Sequence, residues 1–266
     1  MELDGRRVLL TGASGGIGNA IARALHAAGA TVILSGRRAD ALHGLAASLG
    51  SRTETAPADL GSREDLTALI ERASDVDVLV ANAALPASGW LDSYTPEEID
   101  RALEVNLGAP MQLSRALAPR MVERGSGHLV FISSMSGKVP SMGATVYSAT
   151  KYGLRGFAAA LRDELRGTGV GVTTVSPGFI SHAGMFAETG TRLPPGVATR
   201  SPEQVAAAVI RGIERDRGEI DVAPLFMKTS AWLAGISPTA VTAMARRVGS
   251  RKVAAQLGDR QRHKRS

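Results

Sequence analysis

Short apolar segments alternate along this chain with segments of helical periodicity. Several of the apolar segments lack the alternation of apolar and polar residues that marks a sheet with one solvated face, as is typical of strands buried on both faces. The segments lie at residues 7–10, 31–35, 52–56 (the weakest), 77–81, 128–132, 170–175 and 219–222. We therefore predict one α/β domain, built on a doubly wound parallel sheet of about seven strands with helices on both faces.

Composition restricts the classes of protein to be considered. The chain has 266 residues, 44% of them hydrophobic, which suits a single large α/β domain. It has no cysteine, which excludes disulfide and thiolate chemistry, and its five histidines lack ligand spacing, so we predict no metal site. Because it contains neither an apolar leader nor a run of 18 apolar residues, we expect a cytoplasmic protein.

A glycine-rich segment, Thr-Gly-Ala-Ser-Gly-Gly-Ile-Gly at 11–18, joins the first predicted strand to the first predicted helix. Glycines allow a tight turn and a close backbone approach to a phosphate, and the free N–H groups at a helix start favour anions. A plain strand-to-helix turn is the alternative. In this context the segment predicts dinucleotide binding.

Two arginines, Arg37 and Arg38, follow the second predicted strand at the place where NAD-binding proteins usually carry an acid. Their guanidinium groups can hold a 2′-phosphate through charged, fork-shaped contacts. The alternative is a pair of solvated charges at the start of a helix, where cations are unfavourable. This pattern favours NADP over NAD.

Tyr147 and Lys151 are spaced to lie on one face of a helix, so their polar ends can reach the same point. A neighbouring cation is expected to lower the pKa of a phenol and so to favour phenolate. The pair predicts a proton donor for a carbonyl oxygen, although chance helical spacing is the alternative. Ser133 and Ser134 end a central predicted strand, and only one of them can face the cleft; a pair of turn-forming serines is the alternative.

These motifs, in this order, resemble the compact short-chain dehydrogenase/reductase family over residues 5 to about 222. The resemblance implies a Rossmann-type fold and an oxidoreductase that transfers hydride between a nicotinamide and a carbonyl or alcohol. Family spacing selects Ser134, and the implied catalytic residues are Asn106, Ser134, Tyr147 and Lys151. The implied cofactor-binding residues are Gly12, Ser14, Gly16, Ile17, Gly18, Arg37, Arg38, Asp59, Leu60, Asn82, Ala83, Ala84, Tyr147, Lys151, Pro177, Gly178 and Ile180.

The resemblance also implies roles for these side chains. Tyr147 exchanges a proton with the substrate oxygen, Lys151 stabilises the phenolate and holds the nicotinamide ribose, and Ser134 hydrogen-bonds the substrate oxygen. Asn106 connects Lys151 to solvent through water, and Asp59 contacts the adenine. Taken alone, Asn106 could be a structural amide and Asp59 a loop or cap residue.

The chain departs from the family pattern at two positions. Ala84 stands where the family has glycine, and we expect the extra methyl group to be tolerated. His182 stands where the family usually has a threonine that contacts the carboxamide or a phosphate. Ser181 could replace that contact, with His182 as an exposed loop residue.

Two segments fall outside the motifs. Residues 182–200 are rich in glycine and proline and predict a lid over the site, within a domain at 1–223. Residues 224–266 predict a basic helical C-terminal extension. Its last 21 residues carry eight Lys/Arg and one Asp, a charge of +7 against +6 for the whole chain, so the rest is near −1. The alternatives are a cover for the cleft, a subunit contact or a weak contact with an anionic membrane.

The sequence therefore favours an NADPH-dependent reductase of a partly apolar carbonyl substrate. The family resemblance further implies a homodimer or homotetramer assembled through helices near 107–124 and 147–167. We expect no nucleic-acid partner, because the basic segment lacks aromatic residues for stacking. The alternative from another class is a non-catalytic NADP-binding sensor or scaffold, with a membrane-associated adaptor as a further one.

Overall fold

Seven parallel strands form one sheet in the computed structural model, which describes residues 1–181, 198–237 and 239. The strands are β1 Arg7–Thr11, β2 Thr31–Gly36, β3 Thr53–Pro57, β4 Val78–Ala81, β5 Gly127–Ile132, β6 Val170–Pro177 and β7 Glu219–Val222. Their order across the sheet is β3-β2-β1-β4-β5-β6-β7. The predicted doubly wound sheet is confirmed.

Eight α-helices connect or follow these strands in the described residues. They are α1 Gly16–Ala27, α2 Ala39–Leu49, α3 Arg63–Arg72, α4 Pro96–Leu103, α5 Ala109–Glu123, α6 Thr145–Glu164, α7 Pro202–Glu214 and α8 Leu225–Ile236. Short 3-10 turns lie at Leu91–Ser93 and Met135–Gly137. The helical segment from residue 96 to residue 123 is interrupted by a π-helical turn, Glu104–Gly108, which separates α4 from α5.

The helices cover both faces of the sheet, which explains why its strands are apolar without alternation. Val8 and Leu10 point into one core, which contains side chains from α1, α2 and α7. Leu9, between them, points into a second core, formed with α3, α5 and α6. Each strand thus buries successive residues on opposite faces.

Two helix starts follow directly from local sequence. The Thr95 hydroxyl accepts a hydrogen bond from the Glu98 N–H (3.2 Å), and the Glu98 carboxylate accepts one from the Thr95 N–H (3.0 Å). Ser201 and Gln204 form the same reciprocal pair at the start of α7. Both starts are therefore capping boxes, which the sequence pattern of Ser or Thr followed three residues later by Glu or Gln indicates.

Strand order reverses between β1 and β4, which leaves a crevice at the carboxyl ends of these strands. The glycine-rich loop follows β1, and Asn82 follows β4, so the two border this crevice. Of the predicted C-terminal extension, the described residues include α8, and of the predicted lid they include only residues 198–200. Within the same residues, no helix is long and apolar enough to cross a bilayer, and no group of three or more metal-ligating side chains is present.

Candidate active site

The glycine-rich loop requires glycine at two positions for steric reasons. Gly12 has a positive φ of +67°, and a Cβ there would lie 2.8 Å from the Ala83 Cα. A Cβ on Gly18 would collide with the Gly12 carbonyl oxygen. The loop thus folds tightly back onto the start of α1.

The first turn of α1 leaves its N–H groups open to a ligand. Its N-cap is Gly15, which has no side chain to cap them, and its first turn contains no acid. Uncapped N–H groups and the helix dipole favour a bound anion. The uncapped start of α1 therefore fits the pyrophosphate of a dinucleotide at Ser14, Gly16 and Ile17.

The segment after β4 is fastened to the glycine-rich loop. The Thr11 hydroxyl accepts hydrogen bonds from the N–H groups of Asn82 and Ala83, both at 3.1 Å. The Asn82 side-chain amide donates to the carbonyl oxygens of Thr11 (3.0 Å) and Gly12 (3.1 Å). Asn82 therefore shapes the loop, and Ala84 lies at the end of this fastened segment.

The basic corner after β2 lies against the same loop. Arg38 donates from Nη2 to the Ser14 carbonyl oxygen at 2.7 Å, and both Arg37 and Arg38 are exposed. Gly36 allows the segment after β2 to lie close to the glycine-rich loop, because a Cβ there would lie 3.3 Å from the Ser14 hydroxyl. The arrangement sets a guanidinium group beside the loop that could hold the phosphates.

Asp59 follows β3 and makes an ion pair with Arg101 of α4, at 2.7 Å. Its other carboxylate oxygen accepts a hydrogen bond from the Gly61 N–H at 2.9 Å. Burial opposes ionisation of Asp59, but the hydrogen bonds from Arg101 and Gly61 and the charges of Arg101 and Arg37 outweigh it, so the pKa is lowered. The carboxylate is thus held ionised in a fixed position, next to buried Leu60.

Ser134, Tyr147 and Lys151 meet at the carboxyl end of β5. Ser134 hydrogen-bonds the Tyr147 side chain, and its hydroxyl also accepts from the Ser136 N–H at 3.1 Å. Lys151 is buried, donates to the Ile132 carbonyl oxygen at 2.9 Å, and has its Nζ 5.6 Å from the centre of the Tyr147 ring. Tyr147 keeps partial solvent access.

Neighbouring Ser133 has a different environment. It is buried, and its hydroxyl donates to the Lys151 carbonyl oxygen at 3.1 Å, which ties α6 to the end of β5. Gly137 is needed nearby because a Cβ there would lie 2.7 Å from the same carbonyl. Consecutive residues in extended backbone face opposite ways, so Ser133 contacts the Lys151 backbone while Ser134 contacts the Tyr147 phenol.

Burial pushes both members of the Tyr–Lys pair toward their neutral forms. It raises the pKa of Tyr147 to about 12, although the hydrogen bond with Ser134 acts in the opposite direction. It lowers the pKa of Lys151 to about 8. The expectation that Lys151 lowers the phenol pKa is therefore wrong for the protein by itself. Desolvation outweighs the hydrogen bond with Ser134, and the Lys151 ammonium group donates to the Ile132 carbonyl oxygen.

Asn106 lies in the π-helical turn, where the wider helix places its buried side chain against two other segments. Its oxygen accepts from the Leu85 N–H at 2.6 Å, and its amide donates to the Leu85 carbonyl at 3.0 Å. A longer contact, 3.5 Å, joins it to Thr150, whose hydroxyl donates to the Tyr147 carbonyl. Asn106 therefore links the segment after β4 to the helix that carries Tyr147.

The segment after β6 completes the carboxyl edge. The Gly178 N–H donates to the Val222 carbonyl at 3.0 Å, and Ile180 is buried and pairs with Arg200. Ser181 donates its N–H to the Arg200 carbonyl at 2.9 Å. His182 lies outside the described residues, so the choice between Ser181 and His182 for the missing threonine contact stays a prediction.

Arg101 and Thr150 contact predicted site residues but were missed by sequence reasoning. Arg101 is 42 positions from Asp59, and no local pattern pairs them. Thr150 stands inside the Tyr-x-x-x-Lys segment, where its hydroxyl could have been noted as a partner for a buried amide. Leu85 contributes only backbone atoms, which leave no signal in side-chain identity.

Comparison with known proteins places this arrangement in a family. The family model described as short chain dehydrogenase matches residues 6–193. The chain belongs to the short-chain dehydrogenase/reductase family. It is an oxidoreductase of that family, and the membership supports a nicotinamide cofactor.

Individual short-chain dehydrogenases/reductases resemble the chain over most of its length. It is 37% identical to ketoacyl reductase HetN of Nostoc sp., over 90% of this chain and 88% of that protein. It is 43% identical to nodulation protein G of Rhizobium sp., over 68% and 76%. A solved short-chain dehydrogenase of Sphingobium yanoikuyae in complex with NADPH matches with a TM-score of 0.78 and 28% identity, over 90% of this chain and 95% of that one.

Proposed function

We propose that the chain is an NADP(H)-dependent oxidoreductase that interconverts a carbonyl compound and its alcohol, with Tyr147 as the general acid and base. The observation that carries this proposal is the meeting of Ser134, Tyr147 and Lys151 at the carboxyl end of β5, on the same sheet edge as the glycine-rich loop. Open α/β sheets bind ligands at this edge.

The residues present fit a bound dinucleotide. The start of α1, with Ser14, Gly16, Ile17 and Gly18, would hold the pyrophosphate, and Asp59 with Leu60 would hold the adenine. Tyr147 and Lys151 would contact the nicotinamide ribose. The remaining contacts would come from Gly12, Asn82, Ala83, Ala84, Pro177, Gly178 and Ile180. When bound, NADPH supplies the hydride that reduces the carbonyl carbon.

The preference for NADP rests on the basic corner after β2. Arg37 and Arg38 are exposed there, and Arg38 is already fixed against the glycine-rich loop at 2.7 Å. The segment Ser-Gly-Arg-Arg at 35–38 contains no acid to accept from the ribose hydroxyls or to repel a 2′-phosphate. The NADPH complex of the Sphingobium yanoikuyae relative is consistent with the same choice.

The proton chemistry follows from the pKa values. A phenol whose pKa is about 12 is fully protonated near neutrality and is a donor by default. Transfer of its proton to the substrate oxygen leaves a phenolate. The Lys151 ammonium group, with its Nζ 5.6 Å from the centre of that ring, stabilises this charge. Ser134 orients the substrate oxygen beside the phenol, while Asn106 holds the surrounding segments and connects Lys151 to solvent through water.

We propose an apolar carbonyl compound as the substrate, and 3-oxoacyl thioesters are the first compounds to test. HetN is named a ketoacyl reductase, and a solved putative betaketoacyl-ACP reductase matches 84% of this chain with a TM-score of 0.77. We further propose a homodimer or homotetramer formed through α5 and α6, whose surface carries Met111 and Tyr152.

The experiment follows NADPH oxidation by the purified chain over 3-oxoacyl thioesters, ketones, aldehydes, quinones and steroids. We expect turnover with at least one of these, and we expect Tyr147→Phe to lower kcat by roughly 10²- to 10⁴-fold while NADPH binding is retained. Tyr152→Phe is the matched control, a more exposed tyrosine on the same helix. Equal turnover in wild type and Tyr147→Phe would contradict the proposal, and NADPH binding without any turnover would favour a sensor.

A further inference from the structure

The outward face of α8 is apolar. Its exposed large side chains are Leu225, Phe226, Trp232, Leu233 and Ile236, and at helical spacing they lie within roughly 120° of one another. Leu225, Trp232 and Ile236 are 74%, 70% and 68% exposed. A surface helix of a globular domain normally presents polar residues on this side.

The inward side of α8 is already packed. Ala234 is buried, and Met227 packs against Gly178, where its Sδ would lie 3.2 Å from an added Cβ. The helix is thus attached to the domain at the end of β6 and β7, and its exposed apolar face points away from that attachment.

The sequence that contains and follows α8 carries charges of one sign as far as residue 258. Lys228 is the only charged residue in α8, and the sequence from 222 to 258 contains no acid but five Lys/Arg. Residues 246–266 carry +7, while the rest of the chain is near −1. The charge complement of such a segment is an anionic surface.

We propose that the outward face of α8 docks the protein on an anionic lipid bilayer, which the positive charge of the sequence after α8 complements. Leu, Ile, Phe and Trp side chains enter the headgroup and acyl boundary, where the amphipathic indole of Trp232 is favoured, and the cationic segment attracts the lipid headgroups. A second copy of the chain is a poorer occupant, because each copy carries +7 within residues 246–266 and like charges oppose self-association.

Docking in this way sets the catalytic edge of the sheet beside the lipid. The helix begins directly after β7, at the same edge as Ser134 and Tyr147. Provided that the proposed function holds, a carbonyl substrate dissolved in the bilayer gains a short path to the cleft. The binding test below does not depend on turnover, so failure of either proposal can be told apart.

The test is flotation of the full-length chain with vesicles of phosphatidylcholine, alone or mixed in equal parts with phosphatidylglycerol. We expect recovery with the anionic vesicles and little with the neutral ones, and strong loss of recovery in 1 M salt, where the Debye length falls to about 3 Å. A double variant, Trp232→Ser with Ile236→Ser, should lower the partition coefficient by at least about tenfold. Leu91→Ser, an exposed leucine outside α8, is the control and should float like wild type.

Fluorescence locates the contact. The chain has two tryptophans, so Trp90→Phe leaves Trp232 as the only one, and its emission should shift to shorter wavelength with anionic vesicles. Unchanged emission, or flotation of the double variant equal to that of wild type, would overturn the proposal. A double variant that floats normally but loses self-association in sedimentation would assign the face to a second copy instead.

Discussion

The two edges of the sheet each bury a titratable group beside β5, and they treat it differently. At the amino edge, His128 is held at Nε2 by the Thr173 hydroxyl (2.8 Å), which itself donates to the Arg217 carbonyl (2.7 Å). The Thr173 hydroxyl must therefore accept from a neutral imidazole N–H. At the carboxyl edge, Lys151 has a single backbone acceptor and no carboxylate partner among the described residues.

The difference distinguishes a buried group whose neutral form is fully hydrogen-bonded from a buried group that stays charged. Burial lowers the pKa of His128 to about 4, a neutral state that its hydrogen bonds satisfy, and the nearby Asp216 is already paired with Arg162 at 2.7 Å. Burial lowers the pKa of Lys151 only to about 8, so near neutrality it stays mostly charged without a counter-charge. An uncompensated buried charge costs stability and is found where chemistry needs it.

The largest effect is expected when the charge at the carboxyl edge is removed. Lys151→Met should lower kcat by roughly 10²- to 10⁴-fold, because the phenolate left by proton transfer loses its stabilising cation. It should unfold at the same or a higher urea concentration near pH 7, because the buried charge is gone. The measurements are turnover under saturating NADPH and urea unfolding of the same preparations.

The pH dependence sharpens this result. The folded pKa of Lys151 is below its ordinary value of 10.5, so the folded protein loses the proton first as the pH rises. The stability cost of the charge is thus present below about pH 8 and disappears between about pH 8 and 10.5. Wild type should gain stability relative to Lys151→Met over this window, and a constant difference would contradict the assigned burial.

At the amino edge, stability is also expected to rise with pH, but in a lower pH window. The folded pKa of His128 is depressed from 6.5 to about 4, so its contribution to stability is present above pH 6.5 and is lost as the pH falls through 4. The loss should reach about 3 kcal/mol, the free energy of that shift. Urea unfolding of wild type and His128→Gln between pH 7 and pH 4 measures the difference.

Two controls keep the His128 result interpretable. His43→Gln, an exposed histidine in α2, should leave the pH dependence unchanged. Titration of His128 by NMR in the wild type gives its pKa directly, even if the variant folds poorly. The kcat of His128→Gln at pH 7 should equal that of wild type, and a large loss of turnover would erase the distinction between the edges.

The fold was predictable because its signals are local. All seven strands were expected within one or two residues of their ends, since strands buried on both faces are short apolar segments, and both capping boxes are read from four residues each. The π-helical turn at Glu104–Gly108 was missed because its sequence continues a helical pattern, and it is the packing of Asn106 that fixes it.

The candidate site was predictable in membership but less so in energetics. The glycine-rich loop and the Tyr–Lys pair could be recognised as site residues from sequence, because glycine spacing and helical periodicity are visible there. The shift in the pKa of Tyr147 was predicted in the wrong direction. Burial depends on all the surrounding segments, whereas the Tyr–Lys spacing reports only one neighbouring residue. Asp59 and Arg101 pair across 42 positions, which no local pattern reveals.

That pair provides the smallest test, since it lies at the carboxyl edge yet is satisfied like the groups at the amino edge. Arg101→Met removes the ion pair at 2.7 Å that lowers the pKa of Asp59. We expect NADPH to bind roughly three- to tenfold more weakly, the size of a charged hydrogen bond in a partly exposed site, with kcat at saturating NADPH unchanged. Because the pKa of Asp59 then rises, the affinity should fall at a higher pH on acidification than in wild type.

Titration of NADPH fluorescence measures both effects, and Arg120→Met, an exposed arginine of α5 bonded to the Ser74 carbonyl, should change neither. If kcat falls instead and the affinity for NADPH is unchanged, Arg101 acts on the catalytic cluster through α4. The Asp59–Arg101 pair and that cluster would then be coupled rather than independent.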